Sequence, residues 1–115
     1  MPSVLIAPIL AKGAATPPGI LRIFGRFGVS WLDFPAGATR EEIEAVMEQA
    51  KAKGRVPLIY LESPANPTNV LVDVEAVAAA RDALFGDQKP PIAIDNTFLG
   101  PLWSKPLEHG ADLSI

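Results

Sequence analysis

Three short apolar runs constrain this chain more than any other feature: VLI at 4–6, VPLIYL at 56–61 and PIAI at 91–94. None alternates cleanly between apolar and polar residues, as a strand with one wet face does. Stretches of helical period separate them. Thr39-Arg-Glu-Glu42 is a capping box, in which a hydroxyl and a carboxylate satisfy each other's orphan amides. Behind it Ile43, Val46, Met47 and Ala50 recur at helical spacing, and Lys51, Lys53 and Gly54 supply a basic last turn and a stop. Asp73 caps a second helix through about residue 85, with Val74, Val77, Ala78, Leu84 and Phe85 on its buried side. Pro17 or Pro18 suits the first turn of an earlier helix carrying Ile20, Leu21, Ile23 and Phe24 and ending near residues 25–28. Strands are expected at 4–6, 29–34, 56–61, 91–95 and 111–115. That order predicts an α/β fold around a mostly parallel sheet buried on both faces.

Composition narrows the function. The chain has 115 residues, one domain's worth or less. A net charge of -3, with no strongly basic window, argues against a nucleic-acid partner. With no cysteine there is no disulfide and no thiolate metal site, and a lone histidine, His109, argues against zinc. The absence of thiols fits a reducing compartment. The apolar start MPSVLIAPIL lacks a basic flank, is interrupted by Pro8, and is too short to span a bilayer. A soluble, cytoplasmic protein with no membrane partner is the expectation.

In open parallel sheets ligands bind beyond the carboxyl ends of the strands. Two expected strand ends carry polar groups there: LESPANP at 61–67 and IAIDNTF at 92–98. Asp95 follows an apolar strand and should be largely desolvated, so it needs a partner. It either accepts backbone amides of the next turn or holds a cation such as a protonated ring nitrogen. Asn66 is either a turn former before proline or a ligand contact, and Pro64 and Pro67 fix the backbone on both sides of it. Glu62 and Ser63 are expected to tie the loop down. The chain has neither a G-x-G-x-x-G fingerprint nor a Walker loop. Lys12, Lys51, Lys53, Lys89 and Lys105 are expected at the surface. Trp31 and Trp103 are expected to pack, and His109 to sit at a helix end.

Taken with a third motif, PLEHGAD at 106–112, the runs ESPANP and DNTF-x-x-P resemble the cysteine and methionine metabolism family of pyridoxal-phosphate enzymes. That family includes cystathionine γ-synthase, cystathionine lyases and methionine γ-lyase. The resemblance covers nearly the whole chain, from about residue 3 to 115. It implies a three-layer sheet of the PLP-transferase fold type I, aspartate aminotransferase-like. Residues 1–115 would be the central portion of its large, cofactor-binding domain. It implies pyridoxal 5'-phosphate as cofactor, with Asp95 pairing the protonated pyridine nitrogen and Asn66 donating to the ring's phenolic oxygen. The substrate would be a small sulfur amino acid, and the parent a homotetramer performing β- or γ-elimination or γ-replacement. No catalytic residue is assigned within the chain. The family's Schiff-base lysine lies in a Ser-x-Thr-Lys loop, which would follow Ile115. The family's cofactor-stacking tyrosine falls on Gly13, with Thr16 matching the threonine of its Tyr-Gly-x-Thr motif. No turnover is expected from this chain alone, and its open sheet edges are expected to weaken folding. Two other readings stand beside this one. A degenerate, non-catalytic fragment acting as a binding or interaction module is favoured by the missing aromatic at Gly13. A generic doubly wound domain with chance motifs is the other.

Overall fold

The computed structural model describes residues 3–9, 23, 25–64 and 69–115. Strands β1 (Ser3–Ile9), β2 (Val29–Pro35), β3 (Ile59–Glu62), β4 (Ile92–Asp95) and β5 (Leu113–Ser114) form one sheet in the order β2-β1-β3-β4-β5. Every neighbouring pair is parallel. Helix α1 (Arg40–Lys53) joins β2 to β3, and α2 (Val74–Phe85) joins β3 to β4. Both crossovers run in the same direction across the sheet. Since such crossovers are right-handed, both helices come to lie on one face. The one-turn helix α3 (Gly100–Trp103) and a 3-10 turn (Pro106–His109) lead on to β5.

The caps form where local chemistry places them. Thr39 Oγ1 accepts the Glu42 amide at 3.3 Å and Glu42 Oε2 accepts the Thr39 amide at 2.8 Å. Asp73 Oδ1 accepts the Ala76 amide at 2.9 Å and starts α2. Behind these caps Ile43, Met47 and Ala50 from α1 and Val77 and Ala80 from α2 are buried against Phe34, Ile59, Leu61, Ile92 and Ile94. That is a single apolar layer between two helices and one sheet face, and its burial is the main favourable term in folding.

Three features differ from the expectations. Strand β3 begins at Ile59 rather than Val56, because Pro57 has no amide to give the ladder. It also alternates: Ile59 and Leu61 are buried under the helices, while Tyr60 and Glu62 are only half-buried. The opposite sheet face is therefore only partly covered: Ala93 is buried there, while Trp31, Asp33, Tyr60, Glu62 and Asp95 are half-buried. Within α2, Val74, Leu84 and Phe85 are half-buried and the fully buried set includes a cation, Arg81, at 3% exposure. Arg81 Nε reaches Asp82 Oδ1 at 2.8 Å and its Nη1 reaches Asp112 Oδ2 at 2.5 Å. A buried guanidinium is tolerated because carboxylates meet its donors.

The same Asp112 oxygen accepts the Ile92 amide at 2.8 Å, and the Asp112 amide donates to the Ile92 carbonyl at 2.9 Å. The aspartate of GAD thus clamps the start of β5 to β4 and α2. The glycine before it is demanded twice. Gly110 has φ 99°, and a Cβ there would lie 2.6 Å from Ala78 Cβ on α2. Only a residue without a side chain accepts both the left-handed backbone and that approach. Among the described residues, no helix is long and apolar enough to cross a membrane.

Candidate functional site

The carboxyl ends of β3 and β4 carry the polar groups of the open sheet face. Glu62 and Asp95 are register partners, as are Tyr60 and Ala93. Side chains alternate along a strand, so Tyr60, Glu62, Ala93 and Asp95 share one face. Ala93 opposite Tyr60 is small, which leaves the ring free to lean diagonally toward Asp95. The Tyr60 hydroxyl stands 3.5 Å from Asp95 Oδ2. The other oxygen, Oδ1, accepts the Thr97 amide at 3.0 Å and the Thr97 hydroxyl.

Both readings of Asp95 therefore have a basis, each at its own oxygen. Oδ1 serves the turn, and among the described residues Oδ2 has one long contact. The carboxylate is half-buried rather than largely desolvated. The Thr97 hydroxyl, and then the Thr97 amide, hold its pKa below the ordinary value, outweighing the opposing effect of burial. Its neighbours move the other way. Burial first, and the Asp95 charge second, push the Glu62 carboxyl up. Burial, then the charges of Asp95 and Glu62, push the Tyr60 phenol up. Asp33 on β2, on the same face, is also raised, chiefly by burial. Among the described residues no Lys, Arg or His pairs with Glu62 or Asp95. The face is thus an ionised carboxylate with an open oxygen in acidic surroundings. Such a place suits a cation that brings its own charge. No cluster of three or more His, Asp or Glu able to hold a metal occurs among the described residues.

Asn66 lies in residues 65–68, outside the described residues, as do Gly13, Thr16 and Lys12. On the near side of that loop Ser63 is buried, and its Oγ accepts the Val72 amide at 3.2 Å, so it ties the loop as expected. Glu62 does not; it faces the site. Asn96 is 4% exposed and belongs to the turn. Its Nδ2 donates to the carbonyls of Gly100 and Ser104 at 3.1 and 3.2 Å. Lys51, Lys53, Lys89 and Lys105 are exposed, as expected. Trp103 was expected to pack but is 77% exposed, because α3 is a single turn standing off the core. His109 ends the 3-10 turn, where its Nδ1 lies 2.6 Å from Glu75 Oε1. A cleft of about 570 Å³ opens beside the strand end against Asn96, Thr97, Ser104 and Ile115. It does not include Asp95, so the charge pattern rather than concavity marks the site. Tyr60 and Thr97 were missed in the sequence. The only available signal was the two-residue offset of Tyr60 from Glu62 and of Thr97 from Asp95.

The family model described as Cys/Met metabolism PLP-dependent enzyme matches residues 20–115. The chain belongs to that family. It is 34% identical over 96 residues to cystathionine beta-lyase MetC of Staphylococcus haemolyticus, an alignment covering 82% of this chain and 22% of that enzyme. It is 32% identical over 116 residues to an L-methionine gamma-lyase of Streptomyces avermitilis, covering 98% and 27%. The crystal structure of apo CalE6, a methionine gamma lyase from Micromonospora echinospora, superposes with a TM-score of 0.74 at 28% identity, over 99% of this chain and 28% of that one. The fold is that of these fold-type-I enzymes. The chain spans about a fifth to a quarter of the length of the curated relatives it matches. Members of the Cys/Met family are pyridoxal-phosphate-dependent. The described residues fit that cofactor at one point: an ionised aspartate at a strand end, with one oxygen bearing only the long Tyr60 contact among the described residues, suits a protonated ring nitrogen.

Proposed function

We propose that residues 1–115 are the central portion of the cofactor-binding large domain of a pyridoxal-phosphate enzyme of sulfur amino acid metabolism, and that Asp95 holds the cofactor's protonated pyridine nitrogen. The observation that carries this is the split of the Asp95 carboxylate, with Oδ1 committed to Thr97 and Oδ2 turned to the open face. When bound, pyridoxal phosphate supplies an electron sink for charge developing on the substrate. Asp95 keeps that sink effective by favouring the protonated ring, through its own charge and by accepting the ring N–H. Thr97 fixes the carboxylate's rotation and holds it ionised. Asn66 donates to the phenolic oxygen, and Pro64 and Pro67 restrict the backbone that presents it.

The parent acts on an amino acid by elimination or replacement at the β or γ carbon, in keeping with its relatives: a cystathionine beta-lyase, L-methionine gamma-lyases and a sulfhydrylase. A cystathionine γ-synthase activity belongs to the same range. A cytoplasmic homotetramer is the matching assembly. The cysteine-free composition supports the compartment, and the exposed Phe98, Leu102 and Trp103 support burial against further protein. Changing Asp95→Ala in a complete enzyme carrying this segment should lower kcat by about 100-fold or more, as loss of one preorganised electrostatic group does. Unchanged turnover would refute the role of Asp95.

A further inference from the structure

Among the described residues, Asp95 Oδ2 has one hydrogen-bond contact, the hydroxyl of Tyr60. Tyr60 reaches it from β3 across the diagonal of the parallel pair. A diagonal neighbour stands about 7–8 Å away, within reach of an aromatic side chain but beyond a short one. The small Ala93 at the position opposite Tyr60 leaves that path clear. A carboxylate at the end of a strand has two terminal rotations to lose before it can meet a ring nitrogen in one geometry. Thr97 removes part of that freedom from the Oδ1 side. Among the described residues, Tyr60 is the group that removes it from the Oδ2 side. We propose that Tyr60 is a positioning residue for the cofactor site: its hydroxyl donates to Asp95 Oδ2 and holds that oxygen toward the ring nitrogen, so that Tyr60, Thr97 and Asp95 act as one unit.

This rests on the reading of Asp95 given above. The phenol must stay protonated to donate. Burial and the two neighbouring carboxylates, Asp95 and Glu62, ensure that by pushing its ionisation up. The groups facing this unit are Glu62 on the same strand, Asp33 two strands away and Thr97 in the turn. The two titratable ones are acids, so no cation competes for Oδ2 among the described residues. A phenol also offers a neutral donor. A lysine or arginine in its place would satisfy Oδ2 with a full charge and cancel the attraction for a cationic ring.

Tyr60 is the only tyrosine in the chain, so its ionisation can be read directly from the ultraviolet absorbance of the phenolate. The test uses the full 115-residue chain and pyridoxine 5'-phosphate, a probe with the ring nitrogen and phosphate but no aldehyde. In Asp95→Asn the Tyr60 titration should move to lower pH, because a charge that opposes phenolate formation has gone. In Tyr60→Phe the probe should bind about 3- to 10-fold more weakly, the net worth of one ordinary hydrogen bond, since the contact is long. Its affinity should also fall off at a higher pH on acidification, because Asp95 has lost a donor that favours its ionised form. A residue that only filled space would leave that profile in place, since phenylalanine keeps the ring. If Asp95→Asn weakens the probe but Tyr60→Phe changes neither affinity nor profile, Tyr60 is not a positioning residue and the Asp95 reading stands. A Tyr60 titration that ignores Asp95→Asn overturns the inference in the same way, without any ligand. If the chain binds no probe, or Asp95→Asn binds it as well as the unaltered chain, the Asp95 reading fails and takes the inference with it.

Discussion

Glu62 and Asp95 are the same chemical group on register-paired residues, and the structure drives them apart. Asp95 receives two donors from Thr97, while Glu62 has burial and the Asp95 charge. The consequences for stability have opposite signs. A lowered carboxylate binds its proton less tightly in the folded state, so Asp95 contributes stability above its unfolded value of 3.8 that is lost as pH falls through the lower folded value. A raised one binds its proton more tightly when folded. Glu62 therefore costs stability once pH rises above its unfolded value of 4.5. Glu62→Gln should raise the urea midpoint at neutral pH and leave it unchanged well below pH 4.5, which a pair of unfolding curves would show. An equal gain at both pH values would mean that the effect is one of packing rather than charge. A sequence shows both acids at strand ends and does not show which holds its proton. That depends on Thr97 folding back onto one of them.

The five strands are short, and what places them is mostly in their connections. The 3-10 turn before β5 sits against α2, and Gly110 is the point of contact. Gly110→Ala should cost roughly 2–4 kcal/mol, combining a left-handed backbone with overpacking against Ala78. Chemical denaturation would measure it, and a loss below about half a kcal/mol would show that the turn can move away. The helices themselves were legible. The Thr39 box and the Asp73 cap set their starts, and the apolar spacing of Ile43, Met47 and Ala50 set the buried face of α1. Arg81 was not legible. An arginine at a core-facing helical position is read as solvent-exposed until Asp112, 31 residues later, is brought beside it.

Among the described residues the packing is one-sided. Both helices cover one face of the sheet, and on the other face the described polar groups Asp33, Tyr60, Glu62 and Asp95 are half-buried, three of them acids. Stability is accordingly concentrated in one layer. Leu61→Ala, in that layer and fully buried, should cost about 2–5 kcal/mol, a large part of what a domain this size has. Leu102→Gln together with Trp103→Gln, on exposed α3, should change stability by no more than about half a kcal/mol. Comparing the two variants by urea unfolding checks the asymmetry. A large loss from the α3 pair would place Trp103 in the packing after all.

Local residue types alone specified the two helix caps and the order of strands and helices from β2 onward, because each follows from neighbours a few positions apart; the helix expected from Pro17 or Pro18 lies mostly outside the described residues. The order and spacing of ESPANP, DNTF and PLEHGAD carried the family, because those runs are local too. The pairing of Tyr60 with Asp95, 35 residues apart, was settled by the register of β3 against β4. That register puts Ile59 and Leu61 in the core, and a one-residue slip would send Tyr60 to the opposite face. Which oxygen of Asp95 is spent on the turn, and which is left for a ligand, exists only once that register is in place.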